Sequence, residues 1–119
     1  MKLYGIKNCD TVQKACKWLN QNGVTYKFYD YKKHSLSKEL LEKWIKTISI
    51  ENIINKRSTT YKKLSDTDKN NLNDITTAIN IIIANPSIIK RPIIDTGKKL
   101  IVGFDIVEYK KYKPSQCNL

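Results

Sequence analysis

A chain of 119 residues with 22 basic and 11 acidic side chains, a net charge of +11 and 40% apolar residues supports one compact domain with one modest core. No run approaches the roughly 20 uncharged apolar residues of a membrane helix, and the opening Met1-Lys2-Leu3-Tyr4-Gly5 has no apolar signal region, so a cytoplasmic protein is expected. Lys, Ile and Asn make up 48 of the 119 residues, and the basic residues are spread along the chain. The charge is therefore read as a lysine-rich solvated surface, not as a nucleic-acid site.

Lys2 to Lys7 predicts a short buried strand, with Leu3, Tyr4 and Ile6 nearly continuous in apolar character. A helix follows. Asp10 and Gln13 suggest a capping box, Val12, Ala15, Cys16 and Leu19 recur on one face, and Asn22-Gly23 supplies the stop. Val24, Tyr26 and Phe28 alternate with polar residues as a second strand ending near Asp30, parallel to the first through a crossover.

The middle is helical. Ser37 is the expected cap of a helix with Leu40, Leu41, Trp44, Ile45 and Ile48 as its apolar stripe, and Leu36 with Leu41 forms a hydrophobic staple. One or two turns are expected over 50–55. Ser65 with Asp68 suggests a further cap, and Leu72, Ile75, Ile79, Ile82 and Ile83 carry a helical pattern up to Asn85-Pro86. Ile93-Ile94 and Leu100-Ile101-Val102 flank the turn signal Asp95-Thr96-Gly97-Lys98 and predict an antiparallel hairpin. Asp105 and Glu108 cap a last helix to about Tyr112, and a frayed tail is expected from Ser115 to Leu119. The order is β-α-β, a helical block, then β-β-α. The expectation is a single α/β domain, 1–119, of thioredoxin-like fold with a mixed sheet and a helical insertion at approximately 35–85.

Cys9 stands where the first strand gives way to the first helix. Orphan amides and the positive end of the helix dipole favour an anion there, so the position suits a nucleophilic thiolate, with Lys7 adding charge. Cys16 lies two turns up the helix, roughly 10 Å away along the backbone, too far for a disulfide, and is expected in the core. Cys117 lies on the tail. With Val12 three residues after Cys9, the chain has no C-x-x-C pair, so the resolving thiol of a redox cycle is expected from another molecule, glutathione being the obvious donor. The three cysteines fit neither a disulfide framework nor a zinc ribbon, and His34 has no second ligand at metal spacing, so no metal and no bound cofactor are expected. Arginine occurs only at Arg57 and Arg91, against 20 lysines, which suggests that both positions use the planar fork that binds oxyanions in pairs. Two ordinary salt bridges would also account for them.

Four segments in order carry a family likeness: Leu3-Tyr-Gly-Ile-Lys-Asn-Cys9-Asp-Thr-Val-Gln-Lys-Ala15, Lys56-Arg57-Ser-Thr-Thr-Tyr61, Ile89-Lys-Arg91-Pro92-Ile93 and Leu100-Ile-Val-Gly-Phe104. Together they resemble the arsenate reductase/Spx superfamily, and more narrowly its YffB-type branch. The resemblance implies a thioredoxin-like fold, a reactive Cys9, a cis bond at Pro92, and Arg91 as a ligand to the substrate anion. It points to a glutathione-dependent thiol reductase; joined to the helix-start position of Cys9 and the selective use of arginine, the expectation is that Asn8 and Thr11 with the helix amides stabilise the thiolate, Lys7 adds charge, and Arg57 and Arg91 hold an anionic group, with glutaredoxin as a further thiol partner. Two alternatives stay open. Arsenate reduction is disfavoured because Asp10-Thr11-Val12 replaces the Gly-Thr-Ser of those enzymes, Asn55 stands where their loop arginine falls, and Ile101-Val102-Gly103 lacks their third arginine. A non-catalytic, Spx-like regulator of RNA polymerase is disfavoured because Val12 removes the C-x-x-C switch.

Overall fold

Lys2–Gly5 forms strand β1, and its three inward residues are buried almost at once after the exposed Lys2. It is one of two inner strands in a computed structural model that describes residues 1–114. On one side it pairs in parallel with β2 (Lys27–Asp30), Leu3 facing Phe28; on the other it pairs antiparallel with β3 (Ile93–Asp95), Leu3 facing Ile94. β3 in turn pairs antiparallel with β4 (Leu100–Val102), giving a mixed sheet of order β2-β1-β3-β4. The expected hairpin is present. Thr96 closes its turn by exchanging bonds with Lys99, and Gly97, at φ +90, donates to the Asp95 carboxylate at 2.8 Å.

Helix α1 (Asp10–Gln21) connects β1 to β2. Its Val12, Ala15 and Leu19 are buried with Leu3, Val24, Ile94, Ile101 and Tyr109 in one apolar cluster, the packing predicted from their spacing. Gly23, at φ +70, follows the Asn22 cap, as the Asn-Gly pair implied. β2 is shorter than the alternation of Val24, Tyr26 and Phe28 suggested. It lies at the sheet's edge, with Lys27 and Phe28 exposed, while Val24 serves the core ahead of the strand. Likewise β1 ends at Gly5, two residues before the expected Lys7.

Two compact units partition the chain: Met1–Asp30 together with the segment from Arg91 onward, and Tyr31–Lys90. The second unit holds α2 (Lys38–Ile48), α3 (Ile50–Ile53), α4 (Thr59–Lys62), α5 (Asp66–Asn71) and α6 (Ile75–Ala84), then a 3-10 turn over Pro86–Ile88. Ser37 caps α2 through the Leu40 amide, and Leu36 and Leu41 of the expected staple are both buried. The pattern from Ser65 to Ile83 is broken into two helices. Ser65 caps the first through the Asp68 amide, but Asp74 accepts from the Thr77 amide and opens a second, across the Asn-rich stretch Asn70-Asn71-Leu72-Asn73. α4 is capped by Ser58, whose side chain accepts from the Tyr61 amide.

In the first unit, α7 (Ile106–Tyr109) is capped by the Asp105 carboxylate, which accepts from the Glu108 amide, and passes into a 3-10 turn over Lys110–Tyr112. The expected tail, with Cys117, lies outside the described residues.

Gly5 deserves its lack of a side chain. A Cβ there would meet Val12 Cγ2 at 2.9 Å and Cγ1 at 3.1 Å, and Val12 is a stiff, buried β-branched residue that has no way to swing aside. Gly5→Ala is therefore expected to lower unfolding stability by about 1–3 kcal/mol, measured as a fall in the urea midpoint at unchanged slope; a midpoint equal to wild type would show that α1 can retreat at little cost.

Candidate functional site at the start of the first helix

The turn from β1 into α1 is closed by the Cys9 amide donating to the Ile6 carbonyl at 3.2 Å. Cys9 then takes extended angles, φ −101 and ψ 126, and its carbonyl accepts the first helical bond, from the Gln13 amide at 2.9 Å. Cys9 is thus itself the N-cap, not Asp10 as the sequence suggested. The box fails for a geometric reason: the Gln13 side chain reaches outward instead, its Nε2 donating to the Lys7 carbonyl at 3.2 Å. Gln13 therefore bridges both sides of Cys9, a role that sequence reasoning missed and that only its position four residues after a cap could have signalled.

The Cys9 side chain makes no capping hydrogen bond. In this place a Ser, Thr, Asp or Asn oxygen would ordinarily accept from the first-turn amides. The thiol that occupies it is half-buried, resting against the edge of the apolar cluster. Lys7, Asn8 and Thr11 stand exposed around it. The first-turn donors and the dipole they sum to favour an anion here, with Asp10 offsetting part of that field from an exposed position.

The register places the other candidates. Tyr4 faces Ile93 and Ile93 faces Val102, so β1 leaves the sheet toward Cys9 at the same end at which Arg91-Pro92 enters β3. The Arg91-Pro92 bond is cis. Arg91 is half-buried and Pro92 buried. The sheet thus brings Lys7, Asn8, Cys9, Thr11, Arg91 and Pro92 to one end of the first unit. Arg57 belongs to the second unit, exposed in a turn where its amide donates to Asn55 Oδ1 at 3.0 Å.

Cys16 differs from its expected place in the core. It is half-buried at the cluster's edge, hydrogen-bonded with the Tyr26 hydroxyl, whose ionisation is pushed up to about 12 chiefly by burial and then by this contact. Among the described residues no group of three His, Cys, Asp or Glu side chains could hold a metal ion, and no helix is long and apolar enough to cross a membrane.

Behind the site, α7 is braced by charge. Glu108 Oε2 takes Lys99 Nζ and Lys111 Nζ, each at 2.8 Å, tying the helix to the β3-β4 hairpin. These bonds, from Lys111 first and Lys99 next, lower the Glu108 carboxyl from 4.5 to about 2.

A mixed β2-β1-β3-β4 sheet with a cysteine at the first helix start and a cis-proline opening the third strand defines a protein of thioredoxin-like fold. The ArsC family matches residues 4–112, and the chain belongs to that family, the thiol-dependent reductase superfamily of the arsenate reductases and their Spx relatives. A Haemophilus influenzae protein of uncharacterized function is 43% identical over 108 residues, covering 91% of this chain and 94% of its own. The solved structure of a YffB protein is 38% identical with a TM-score of 0.88, covering 95% of this chain and 98% of that one. The global transcriptional regulator Spx of Streptococcus mutans is 33% identical over 110 residues, covering 90% of this chain and 78% of its own.

A carboxyl lowered in the folded state adds stability above its unfolded value, and that contribution is lost as pH falls through the folded one. Glu108→Gln is accordingly expected to flatten the decline of stability between pH 4.5 and about 2, followed by urea melts across that range. Parallel pH curves for the two proteins would show that the brace does not persist in solution.

Proposed function

We propose that the protein is a glutathione-dependent thiol-disulfide oxidoreductase whose nucleophile is Cys9. The Cys9 thiolate attacks the glutathione sulfur of a glutathione mixed disulfide; a bond forms between Cys9 and that sulfur, the substrate's S–S bond breaks, and the substrate sulfur leaves as a thiolate. A glutathione thiolate then attacks the Cys9 adduct, restoring the Cys9 thiolate and releasing glutathione disulfide. Over the cycle the substrate is reduced and two glutathione sulfurs are joined. Arg91 holds a carboxylate of the glutathione moiety through its paired donors, and Asn8 and Thr11 complete the surroundings of the sulfur with Lys7. Arg57, the chain's other arginine, is the second candidate for an anionic group, because the chain otherwise uses lysine throughout.

The observation that carries this reading is Cys9 as a half-buried N-cap with no capping bond of its own, at the sheet end where Arg91-Pro92 begins β3. Val12, where a resolving cysteine would stand, is buried against Gly5, which supports a resolving thiol from another molecule.

Incubation with oxidised glutathione followed by peptide mass spectrometry is expected to place the adduct on Cys9. Cys9→Ser abolishes turnover yet keeps the fold, because serine is a good N-cap. Arg91→Lys, which exchanges a fork for a point charge, is expected to slow adduct formation about tenfold, the equivalent of one charge-assisted bond; Arg57→Lys tests the second guanidinium in the same way. No adduct on wild-type Cys9, or an adduct on Cys16 instead, would overturn the proposal. Partner capture that survives Cys9→Ser without any turnover would favour the regulator of transcription.

A further inference from the structure

Resting on the proposed thiol-disulfide chemistry, we infer that Tyr109 is a positioning residue for the Arg91-Pro92 segment, acting through Gly103. The Tyr109 hydroxyl donates to the Gly103 carbonyl at 2.6 Å, and the Gly103 amide donates to the Pro92 carbonyl at 2.8 Å. One residue thus receives a bond from the last helix and passes one to the strand entry beside Cys9.

The placement of that relay gives it its effect. β3 and β4 pair as far as Ile93 and Val102, and the Gly103-Pro92 bond is one rung beyond, holding the backbone on the strand side of Arg91, while on its other side the Lys90 amide donates to the Ile53 carbonyl at 2.7 Å. Proline has no amide to add another. Gly103 sits at φ +82 with no atom within 4 Å of where a Cβ would lie. Glycine has no side chain to hold it, and its backbone makes two hydrogen bonds, one accepted through the carbonyl and one donated through the amide. The donor is well held. Tyr109 is 1% exposed, and its ring stands 5.8 Å from those of both Trp18 and Phe104. Burial raises its ionisation above the ordinary range, so the hydroxyl keeps its proton. α7 itself is fixed by the Asp105 cap and by Glu108 with Lys99. Loss of the hydroxyl leaves the Gly103 carbonyl without its partner and loosens the final rung. A misplacement of about 1 Å at a ligand-orienting group is enough to slow a reaction that depends on orientation.

Two electrophiles separate positioning from thiol reactivity. Iodoacetamide is small and neutral and reports the Cys9 sulfur alone; oxidised glutathione also engages the segment that carries Arg91. Tyr109→Phe is expected to slow the glutathione reaction about fivefold, the scale of one neutral hydrogen bond, and to leave the iodoacetamide rate within about twofold, with wild-type circular dichroism. 3-Fluorotyrosine at position 109, which keeps the hydroxyl, is expected to restore the wild-type ratio. Equal slowing of both reagents, or of neither, would overturn the inference. Hydrogen exchange on the unsubstituted protein gives a test independent of any variant: the Gly103 amide is expected to be protected like the β3-β4 ladder, and exchange at the rate of an open peptide would overturn the relay. A wild-type protein whose Cys9 alkylates but never takes up glutathione would sink the proposed chemistry itself, whereas normal uptake with an unaltered Tyr109→Phe rate sinks this inference alone.

Discussion

The close approach of α1 to β1 is the constraint on which the site depends. β1 is held by ladders on both sides, parallel to β2 and antiparallel to β3, so its last residue, Gly5, has little freedom. Val12 packs where a side chain of Gly5 would otherwise be. Between these fixed points the chain turns in a tight link closed by the Cys9 amide on the Ile6 carbonyl, and Gln13 stitches the link from its far side through Lys7. Cys9 is therefore located by backbone bonds and by its neighbours' packing. Its own side chain makes no capping bond, and that is why a sulfur can occupy a place where an oxygen would stabilise the helix better.

The two described cysteines illustrate how far chemistry is set by place. Both lie on or at α1 and both are half-buried, yet one meets the electropositive start of the helix and the other a tyrosine hydroxyl two turns along. Cys16 and Tyr26 are hydrogen-bonded to each other, and burial first and this contact second favour the protonated phenol.

Local rules were sufficient where the signal was local. The Ser37 and Asp105 caps, the Asn22-Gly23 stop and the hairpin around Gly97 are each decided within three or four residues, and each was legible. The errors arose where two local signals competed or where a distant partner decided. Asp10 and Gln13 look like a capping box, but the cap goes to the residue whose carbonyl accepts the first helical bond, and that is Cys9. The run from Ser65 to Ile83 has continuous apolar spacing, but Asp74 can open a helix of its own, and the Thr77 amide takes it as partner. β2 is short because an edge strand is held only along the partner that pairs with it, and β1 offers four residues. The link from Tyr109 through Gly103 to Pro92 was hidden for another reason. Its first and last members are separated by seventeen positions in sequence and share no pattern, and only the β3-β4 register aligns them.

Packing also bears on the redox logic of the proposed chemistry. An internal resolving cysteine would occupy position 12, one helical turn from Cys9, and position 12 is the very residue that seats α1 on β1. A valine presents two methyl groups toward Gly5, at 2.9 and 3.1 Å from the site of a Cβ, whereas a cysteine presents one sulfur. Filling that contact with a branched side chain fixes the helix close to the strand and, by the same choice, removes the second thiol. The stability of the strand-helix junction and the dependence on an external thiol are then two consequences of one residue. A mixed disulfide on Cys9 has no neighbour at position 12 to resolve it, so in the proposed chemistry it persists until an outside thiolate reaches the half-buried sulfur.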